Sequence, residues 1–480
     1  MDFVQWYGIA LTALAAIVLA ASHLRPLLPF WLLRQIAYPR LHPLIGGTGD
    51  TTRFGAIVVG VFLTGNVLCS SLGVKSSPDL VKRTGQLFTI NAIPLFLGGK
   101  IGPLVNILHI QYEDFARAHR WLARVAAAQA IVHAAVAASA KKDFRIVATW
   151  LHVASGSVFR PPEVYLLAAC CTYGSTFAVW FMHILYRNYS YRALFASARI
   201  FKTRASSTQV VRLELKLPRP CAFRPGQFVY VRMLTLGHLA ILQSHPFYVY
   251  SWDEDILSLL VERKTGFTAG LLAEDAPSPQ PRTVPEAEGT VVRVMVEGPF
   301  GKSVDLSSYH TIALFATGIG IVTQLSHVRR WLKDHQGSFQ VTTQSINLFW
   351  EVEAEAHKHW VEDAMNDLLS MDLKFMVRIH VFVKSDYTSS NRKTGDTVTP
   401  TKINTSQPAR VYYYYYPIDA EAQVRDQLEK ANGKTVIAVC SDSLTTASIR
   451  REVCRAVGKD TQIKQNDPQA LRWYLAAEQF

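Results

Sequence analysis

Charged residues and cysteines are both scarce in this 480-residue chain. Charged side chains make up 18% of the residues and hydrophobic ones 49%. That balance is too apolar for an average soluble protein and is typical of a chain that lies partly in a membrane and partly in water. The cysteines lack the paired spacing of metal ligands, and those in apolar runs are predicted to be small packed side chains rather than disulfide partners. The six cysteines are Cys69, Cys170, Cys171, Cys221, Cys440 and Cys454.

Acidic residues are fewer than basic ones, 37 against 50, which gives a formal net charge of +13. Nucleic acid would suit such a charge, but no nucleic-acid-binding module is visible. An excess of Lys and Arg in cytoplasmic loops beside membrane spans explains the charge equally well, so membrane lipid and not nucleic acid is the predicted partner. The first apolar run, Phe3 to Ala21, lacks a basic leader and a small-residue cleavage site and is predicted to be a retained span.

Long apolar runs dominate residues 1–190, which are predicted to form an α-helical transmembrane bundle. A spanning helix needs about 20 mostly apolar residues, and a further run at Ile146–Phe159 is short for a span. With five spans and an external N-terminus, the chain beyond residue 190 lies in the cytosol, and the basic stretch Arg187–Arg204 favours the same exit. The five predicted spans are Tyr7–Ala21, Phe54–Leu72, Leu87–Ile110, Trp121–Ala140 and Val164–Tyr186.

Two histidines, His119 and His133, belong to the fourth predicted span. They are 14 residues apart. At about 100° and 1.5 Å per residue, they lie within roughly 40° of one helix face and about 21 Å apart along the axis. One iron cannot bind both, whereas two haems stacked across the bilayer would each take one, and ionisable residues inside a span are functional candidates. Alternatively, His119 caps the span at the interface and His133 is a packed polar residue; the spacing leaves both readings open.

Residues 205–303 change to short runs in which apolar and polar residues alternate, a pattern typical of half-buried strands. Several such strands, separated by turns such as Pro225-Gly226, predict a small antiparallel β-barrel. Pro246 argues against a central strand at residues 243–252, because proline cannot donate to a sheet ladder. Residues 277–288 are predicted to be a loop insertion. The predicted strands are Val210–Leu217, Gln227–Met233, Ile256–Glu262 and Thr290–Val296.

Residues 308–480 begin with the order strand, glycine-rich turn, helix. A buried strand at Thr311–Ala316 is followed by Gly318-Ile-Gly320 and an apolar helix to Leu332, which is the form of a dinucleotide phosphate site. The sequence therefore predicts an α/β Rossmann-like domain. Ser385–Arg410 is polar without periodicity and is predicted to be a disordered insertion. The further predicted strands are Asn347–Glu351 and Val436–Cys440.

Four motifs follow one another in and just beyond the barrel strands: Pro-Gly-Gln, His-Pro-Phe with Ser-Trp close behind, Lys-Thr-Gly-Phe-Thr, and Glu-Gly-Pro-Phe-Gly. Their order resembles the flavin-binding barrel of the ferredoxin reductase superfamily. The residues within these motifs are most similar to those of the fungal ferric-chelate reductase family, which is related to the NADPH oxidases. The resemblance implies binding of FAD and NADPH by Pro225, Gly226, Gln227, His245, Pro246, Phe247, Tyr248, Ser251, Lys264, Gly266, Phe267, Thr268, Gly298, Pro299, Gly301, Gly318 and Gly320.

The resemblance also implies catalytic roles for Cys440, below the nicotinamide, and for the terminal Phe480, stacked on the flavin. It implies that His119 and His133 bind the iron of haem b. The chain departs from the family in lacking a recognisable second helix with two more histidines. It also departs at Tyr248, where the family has Ser or Thr, and at the two residues after Cys440, where the family has Gly-Pro.

These features predict a transmembrane ferric-chelate reductase that passes electrons from NADPH through FAD and haem b to extracellular ferric or cupric ions. A plasma-membrane location with cytosolic flavin and nucleotide domains is implied by the resemblance, as is an iron-uptake oxidase and permease partner. The alternatives are an NADPH oxidase-like producer of superoxide, against which Ser251-Trp252 weighs, and a haem-deficient, catalytically impaired membrane flavoprotein.

Overall fold

The computed structural model divides the chain into two compact units, Met1–His183 and Ile184–Phe480. The residues it describes are 3–24, 52–96, 112–140, 161–191, 193–202, 210–233, 243–263, 268, 290–301, 303–335, 342–384, 399–401, 410–431, 433–463 and 474–478. All six cysteines lie within these ranges and are free thiols, but Cys170 and Cys171 are exposed on their helix rather than packed as predicted.

Within the described residues, five helices form the first unit and the start of the second. They are α1 (Phe3–Leu24), α2 (Arg53–Ser71), α3 (Ser77–Phe96), α4 (Tyr112–Ala140) and α5 (Pro161–Asn188). Three of them contain stretches long and apolar enough to cross a membrane, at Arg53–Ser71, Phe115–Ser139 and Val164–Asn188. The chain is therefore a membrane protein with a helical membrane part, as predicted.

The first predicted span, Tyr7–Ala21, lies within α1, which has 22 residues. The third was predicted at Leu87–Ile110, but α3 begins ten residues earlier, at Ser77, and residues 97–110 of that span lie outside the described residues. Ser76 explains this start, because its hydroxyl accepts a hydrogen bond from the backbone N–H of Asp79 and bonds the Asp79 carboxylate, as an N-cap does. The short run at Ile146–Phe159 lies outside the described residues.

Four polar side chains, one from each of the helices α1 to α4, form hydrogen bonds with one another inside the first unit. The Tyr7 hydroxyl lies 3.0 Å from Asn66 Oδ1 and 2.6 Å from Asn91 Oδ1. Asn91 Nδ2 donates to Gln129 Oε1, and Gln129 Nε2 donates to Asn66 Oδ1, both at 2.9 Å. All four residues are buried. Because lipid offers no hydrogen bonds, such groups are stable in a membrane only when they satisfy one another, as these do.

The second unit begins with a closed barrel of antiparallel strands, in the order β1-β2-β5-β4-β3-β6. Its core is formed by inward-facing side chains such as Leu213, Val231 and Leu259. The antiparallel barrel predicted from the alternating pattern is thus confirmed. The strands are β1 (Ala196–Lys202), β2 (Val210–Lys216), β3 (Phe228–Met233), β4 (His245–Asp253), β5 (Ile256–Glu262) and β6 (Thr290–Phe300).

Pro246 lies within β4, so the expectation that residues 243–252 are not a central strand was wrong. The reason lies in the pairing. Pro246 faces Tyr230 of β3, whereas the ladder between β4 and β5 begins only at Val249. The missing N–H of the proline therefore removes no hydrogen bond from the β5 side, and β4 can run through it.

The rest of the unit is an α/β domain whose sheet has the order β10-β11-β9-β8-β7-β12-β13. Neighbouring strands from β11 to β13 are parallel, and only β10 is antiparallel, which confirms the Rossmann-like prediction. The strands are β7 (Thr311–Thr317), β8 (Ser345–Val352), β9 (Val377–Val383), β10 (Thr399–Thr401), β11 (Val411–Tyr414), β12 (Thr435–Cys440) and β13 (Tyr474–Glu478).

The helices of this domain connect the parallel strands. Strands β8 and β9 lie on one side of β7, and β12 lies on its other side. The strand order therefore reverses between β7 and β12. Ligands of open α/β sheets bind at such a reversal, outside the carboxyl ends of the strands. The helices are α6 (Ile321–His335), α7 (Glu362–Met371), α8 (Ala420–Lys430) and α9 (Ser443–Ile463).

Two parts of the insertion predicted to be disordered at 385–410 are ordered. Strand β10 lies inside it. At its end, Arg410 is buried, forms an ion pair with the buried carboxylate of Asp372 and donates to the carbonyl of Leu369. A buried charge needs such a partner, so Arg410 belongs to the folded domain. The other residues of the insertion lie outside the described ranges.

Candidate functional site

Two backbone loops of the barrel approach each other closely at the Pro225-Gly226 turn and the end of β6. Gly226 and Gly301 both have positive φ, at 77° and 98°. A Cβ atom on Gly301 would lie 3.0 Å from the Gly226 carbonyl oxygen, so only glycine fits there without displacement. Gln227 bridges the loops, because its side chain accepts from Arg224 N and donates to the Gly301 carbonyl. Gly298 and Pro299 precede this contact in β6, so the predicted turn and junction residues are brought together.

An aromatic cluster lies beside this cradle on β3, β4 and β6. The ring of Phe228 is at its centre, with centroid distances of 5.6 Å to Tyr248, 5.7 Å to Tyr230 and 5.8 Å to Phe300. Phe228 and Phe300 are buried, whereas Tyr230 and Tyr248 are partly exposed. Phe247, which precedes Tyr248 in β4, packs instead against the barrel core. A planar ring system stacks favourably on partly exposed rings such as those of the two tyrosines, so the glycine-lined cradle and these rings fit a flavin.

His245 opens β4 and is half-buried. Burial lowers the pKa of its imidazole, which keeps the ring neutral at pH 7.

Ser251 lies at the contact between the barrel and helix α6, where its hydroxyl accepts a 2.8 Å hydrogen bond from Arg329 Nη1. Its neighbour Tyr250 is buried in the core of the α/β domain, and this burial raises the pKa of the phenol. The cradle reaches the same helix, since Gly226 N donates to Ser326 Oγ at 3.4 Å. The predicted flavin cradle and the helix that follows the glycine loop are thus in direct contact.

The glycine loop after β7 is held on both sides. Trp350 Nε1 donates to the Gly318 carbonyl at 2.8 Å, and Gly318 has the left-handed φ of 52°. A Cβ on Gly320 would collide with the Cys440 carbonyl oxygen and lie 3.3 Å from Cys440 Sγ. Helix α6 begins directly after Gly320, so its N-terminus follows the loop, which is the arrangement that binds a diphosphate. These residues fit a dinucleotide.

The end of β12 forms the other side of the site. Cys440 is fully buried, with its Sγ 3.7 Å from Thr323 Oγ1. Asp442 N donates to Thr317 Oγ1 at 2.9 Å, and the Asp442 carboxylate accepts from the backbone N–H groups of Leu444 and Thr445. Burial opposes ionisation of Asp442, but the hydrogen bonds from Thr445 and Leu444 hold the pKa of its carboxyl below the usual value. Asp442, the second of the two residues that stand where the resembled family has Gly-Pro, therefore caps the start of helix α9.

Some predicted site residues are not located by the structure. Four of them lie outside the described residues: Lys264, Gly266, Phe267 and Phe480. Thr268 is described, but the residues on either side of it are not. Other residues at the site were not predicted. No local pattern marks Ser326 or Arg329, because their partners are 100 and 78 positions away in the chain. Glu351, at the end of β8, did carry a signal, since it ends a strand beside the glycine loop.

His119 and His133 both lie on α4. His133 Nδ1 is 2.8 Å from the Val81 carbonyl oxygen, and a Cβ on Gly85 would lie 3.0 Å from the ring. If Nδ1 carries the proton, Nε2 is left as an acceptor, the state in which imidazole binds iron. The described residues contain no group of three or more His, Cys, Asp or Glu side chains that would hold a metal ion. His183 lies on α5, and His109 and His152 lie outside the described residues.

Comparison with known families identifies both domains of the second unit. Residues 195–304 match the profile described as an FAD-binding domain, and residues 309–453 match the ferric reductase NAD binding domain.

Curated relatives include ferric/cupric reductase transmembrane component 2 of Saccharomyces cerevisiae, 24% identical over 55% of this chain and 41% of the relative. A probable ferric reductase transmembrane component of Candida albicans is 24% identical over 64% and 51%. Respiratory burst oxidase homolog protein D of Solanum tuberosum is 21% identical over 41% and 25%. The matches span about half or less of each relative.

Among solved structures, the flavohemoglobin of Malassezia yamatoensis aligns with 98% of each chain, with a TM-score of 0.41 and 11% identity.

Proposed function

Because this membrane protein carries the FAD-binding and NAD-binding domains of the ferric reductase family, we propose that it is a transmembrane ferric-chelate reductase. A reduced nicotinamide dinucleotide is the electron donor, NADPH by the resemblance, and a ferric or cupric chelate outside the cell is the acceptor. One observation carries the proposal: the flavin cradle contacts the helix that follows the dinucleotide loop, through Gly226 with Ser326 and through Ser251 with Arg329.

The residues at this contact have separate tasks. Gly318 and Gly320 would let the backbone approach the diphosphate, and the N-terminal amides of α6 would face its charge. Thr323 and the buried Cys440 would bound the space for the nicotinamide ring and exclude water from it. Tyr230 and Tyr248, which pack on the buried ring of Phe228, would hold the flavin in a fixed plane. FAD, when bound, supplies the conversion of a two-electron donor into single electrons.

The proposed path of electrons from the flavin to the acceptor runs through the membrane helices. His119 and His133 would each contribute one imidazole to a haem b, and haem, when bound, supplies one-electron transfer. The proposal includes a plasma-membrane location, cytosolic flavin and nucleotide domains, and an iron-uptake oxidase and permease as partners.

The test is reconstitution of the full chain in sealed liposomes. Reduced nucleotide is supplied outside, and a ferric chelate with a membrane-impermeant ferrous indicator is enclosed inside. The proposal predicts nucleotide-dependent colour inside the vesicles, which empty liposomes lack. Colour that superoxide dismutase removes would instead indicate a superoxide producer, the function that the burst oxidase relative's name suggests. Dye reduction confined to the nucleotide side would contradict transmembrane transfer and leave a haem-deficient flavoprotein.

A further inference from the structure

An arginine in the last turn of α5 is buried without a counter-ion. Arg187 is 9% exposed, and its Nε is buried and makes no hydrogen bond. Within the described part of the chain, its guanidinium group forms no hydrogen bond and no ion pair. A buried charge is stable only when an opposite charge compensates it, so Arg187 calls for an anion that the described residues do not supply.

The barrel covers Arg187 but does not neutralise it. Asn188, the next residue, fixes the end of α5 on β6, because its side chain both accepts from the backbone N–H of Val296 and donates to the carbonyl of Val296, each at 2.7 Å. Glu297 follows Val296 in β6, and its carboxylate is bonded to Arg232 at 3.0 Å. The acidic side chain that follows this contact is therefore already paired with another arginine.

A second arginine comes from the barrel. Arg219 follows β2, and its Nε donates to the carbonyl of Tyr189 at 2.9 Å. Its guanidinium carbon lies 4.5 Å from the centroid of the Tyr186 ring, and that of Arg187 lies 6.0 Å from the same centroid. The acidic turn between β4 and β5 reaches the segment after β2 through two backbone carbonyls, but in the described structure its carboxylates form no ion pair with Arg219. Two positive charges thus lie beside one aromatic ring.

These arginines lie where a membrane span ends. The apolar stretch Val164–Asn188 is long enough to cross a membrane and ends beside Arg187. Tyr186, Tyr189 and Tyr191 are each more than half exposed. Exposed tyrosines at the end of a span are typical of the level of the lipid headgroups. Arginine binds phosphate through its planar fork of N–H donors, and phosphate is the anion that lipids present at this level.

We infer that Arg187 and Arg219 form a binding site for the headgroup phosphate of an anionic membrane lipid. An anionic lipid brings a net negative charge to the two arginines, whereas a zwitterionic lipid carries a cation beside its phosphate. The bound lipid connects the last helix to the barrel, next to the point where Asn188 joins them. The site takes no part in binding flavin or nucleotide, so it stands or falls separately from the proposed function.

The test measures binding of dioctanoyl phosphatidylglycerol, a short-chain anionic lipid, to the full chain in a non-ionic detergent by titration calorimetry. The wild-type protein is expected to bind this lipid at least about fivefold more tightly than dioctanoyl phosphatidylcholine. Arg187→Gln and Arg219→Gln should each weaken its binding about fivefold, the effect of one arginine near anionic lipid. Arg330→Gln is the matched control, because it removes an equal charge from an exposed position on α6 and should leave the lipid affinity unchanged.

Thermal unfolding without added lipid separates lost binding from lost folding. Arg187→Gln should unfold at the same temperature as the wild-type protein or higher, since it removes a buried charge that has no partner. Arg219 is partly exposed beyond the end of β2, so its variant keeps the test valid if Arg187→Gln fails to fold.

Equal affinity of the wild-type chain for the two lipids would overturn the inference. Equal affinity of Arg219→Gln and Arg330→Gln for the anionic lipid would do the same. Inorganic phosphate is the last arm of the experiment and should not displace the lipid. Displacement by phosphate would show a site for a free anion, which would also overturn the assignment to lipid.

Discussion

At the scale of single residues, Gly320 leaves little freedom, because a Cβ atom there would collide with the carbonyl group of Cys440, at the point where the strand order reverses between β7 and β12. Any side chain there must push β12 away from the start of α6. The same contact explains why a short glycine motif that is weak by itself becomes informative when it follows a buried strand and precedes a helix.

Replacing this glycine by alanine tests the contact directly. Gly320→Ala should weaken nucleotide binding more than about tenfold and lower stability by about 1–3 kcal/mol, since the added methyl overpacks a rigid backbone junction. Titration calorimetry and thermal unfolding would measure both effects. Gly174→Ala is the matched control, because a Cβ on Gly174 meets nothing within 4 Å. Unchanged nucleotide affinity in Gly320→Ala would show that the loop does not form the binding site.

At the residue scale, the sequence indicated positions whose pattern is local. The turn at Pro225-Gly226 and the junction at Gly298–Gly301 lie together in the cradle, and both are recognisable from a few neighbouring residues. Flavin binding by Ser251 stays a prediction, and the bond between its hydroxyl and Arg329 was not anticipated. A contact between residues so far apart in the chain depends on tertiary packing, which no local motif encodes.

At the scale of elements, the strands of the barrel illustrate the same limit. The strand at Ile256–Glu262 was predicted with both of its ends, because the alternating run is bounded by an acidic turn. Strand β1 was missed, since its residues resemble a basic membrane exit. It forms because Ile200 and its neighbours pair with β2 on one side and β6 on the other, which closes the barrel. Closure is a property of the whole sheet and not of the segment.

The helices of the first unit are joined by their buried amides, and Asn91 is the best place to test this. Asn91→Leu should destabilise the first unit by about 1–2 kcal/mol, because it leaves the Tyr7 hydroxyl and the Gln129 amide with fewer partners inside the helices. Thermal unfolding of the purified chain in detergent would measure it. Ser71→Ala is the control, since that hydroxyl bonds only within its own helix. Equal stability of the two variants would contradict a structural role for the network.

At the scale of the whole molecule, composition gave the correct outline. Low charge and high hydrophobicity separated a membrane part from a water-soluble part, and the structure has two units with apolar helices in the first. Composition cannot indicate the haem ligands, because they depend on which helices face each other. His133 packs its ring against Gly85 and places Nδ1 at the Val81 carbonyl, a contact between α3 and α4 that no local pattern in the sequence indicates.

The junction of barrel and α/β domain is where the protein would take in electrons, and the most direct measurement is anaerobic titration of the purified full chain with NADPH and, in parallel, with NADH. Flavin should co-purify with the protein, and its visible absorbance should bleach in proportion to the reduced nucleotide added. Gly320→Ala should retain the flavin and lose the bleaching at the same nucleotide concentration. A chain that binds no flavin, or a bound flavin that neither NADH nor NADPH reduces, would contradict the assignment of this junction as the site of electron entry.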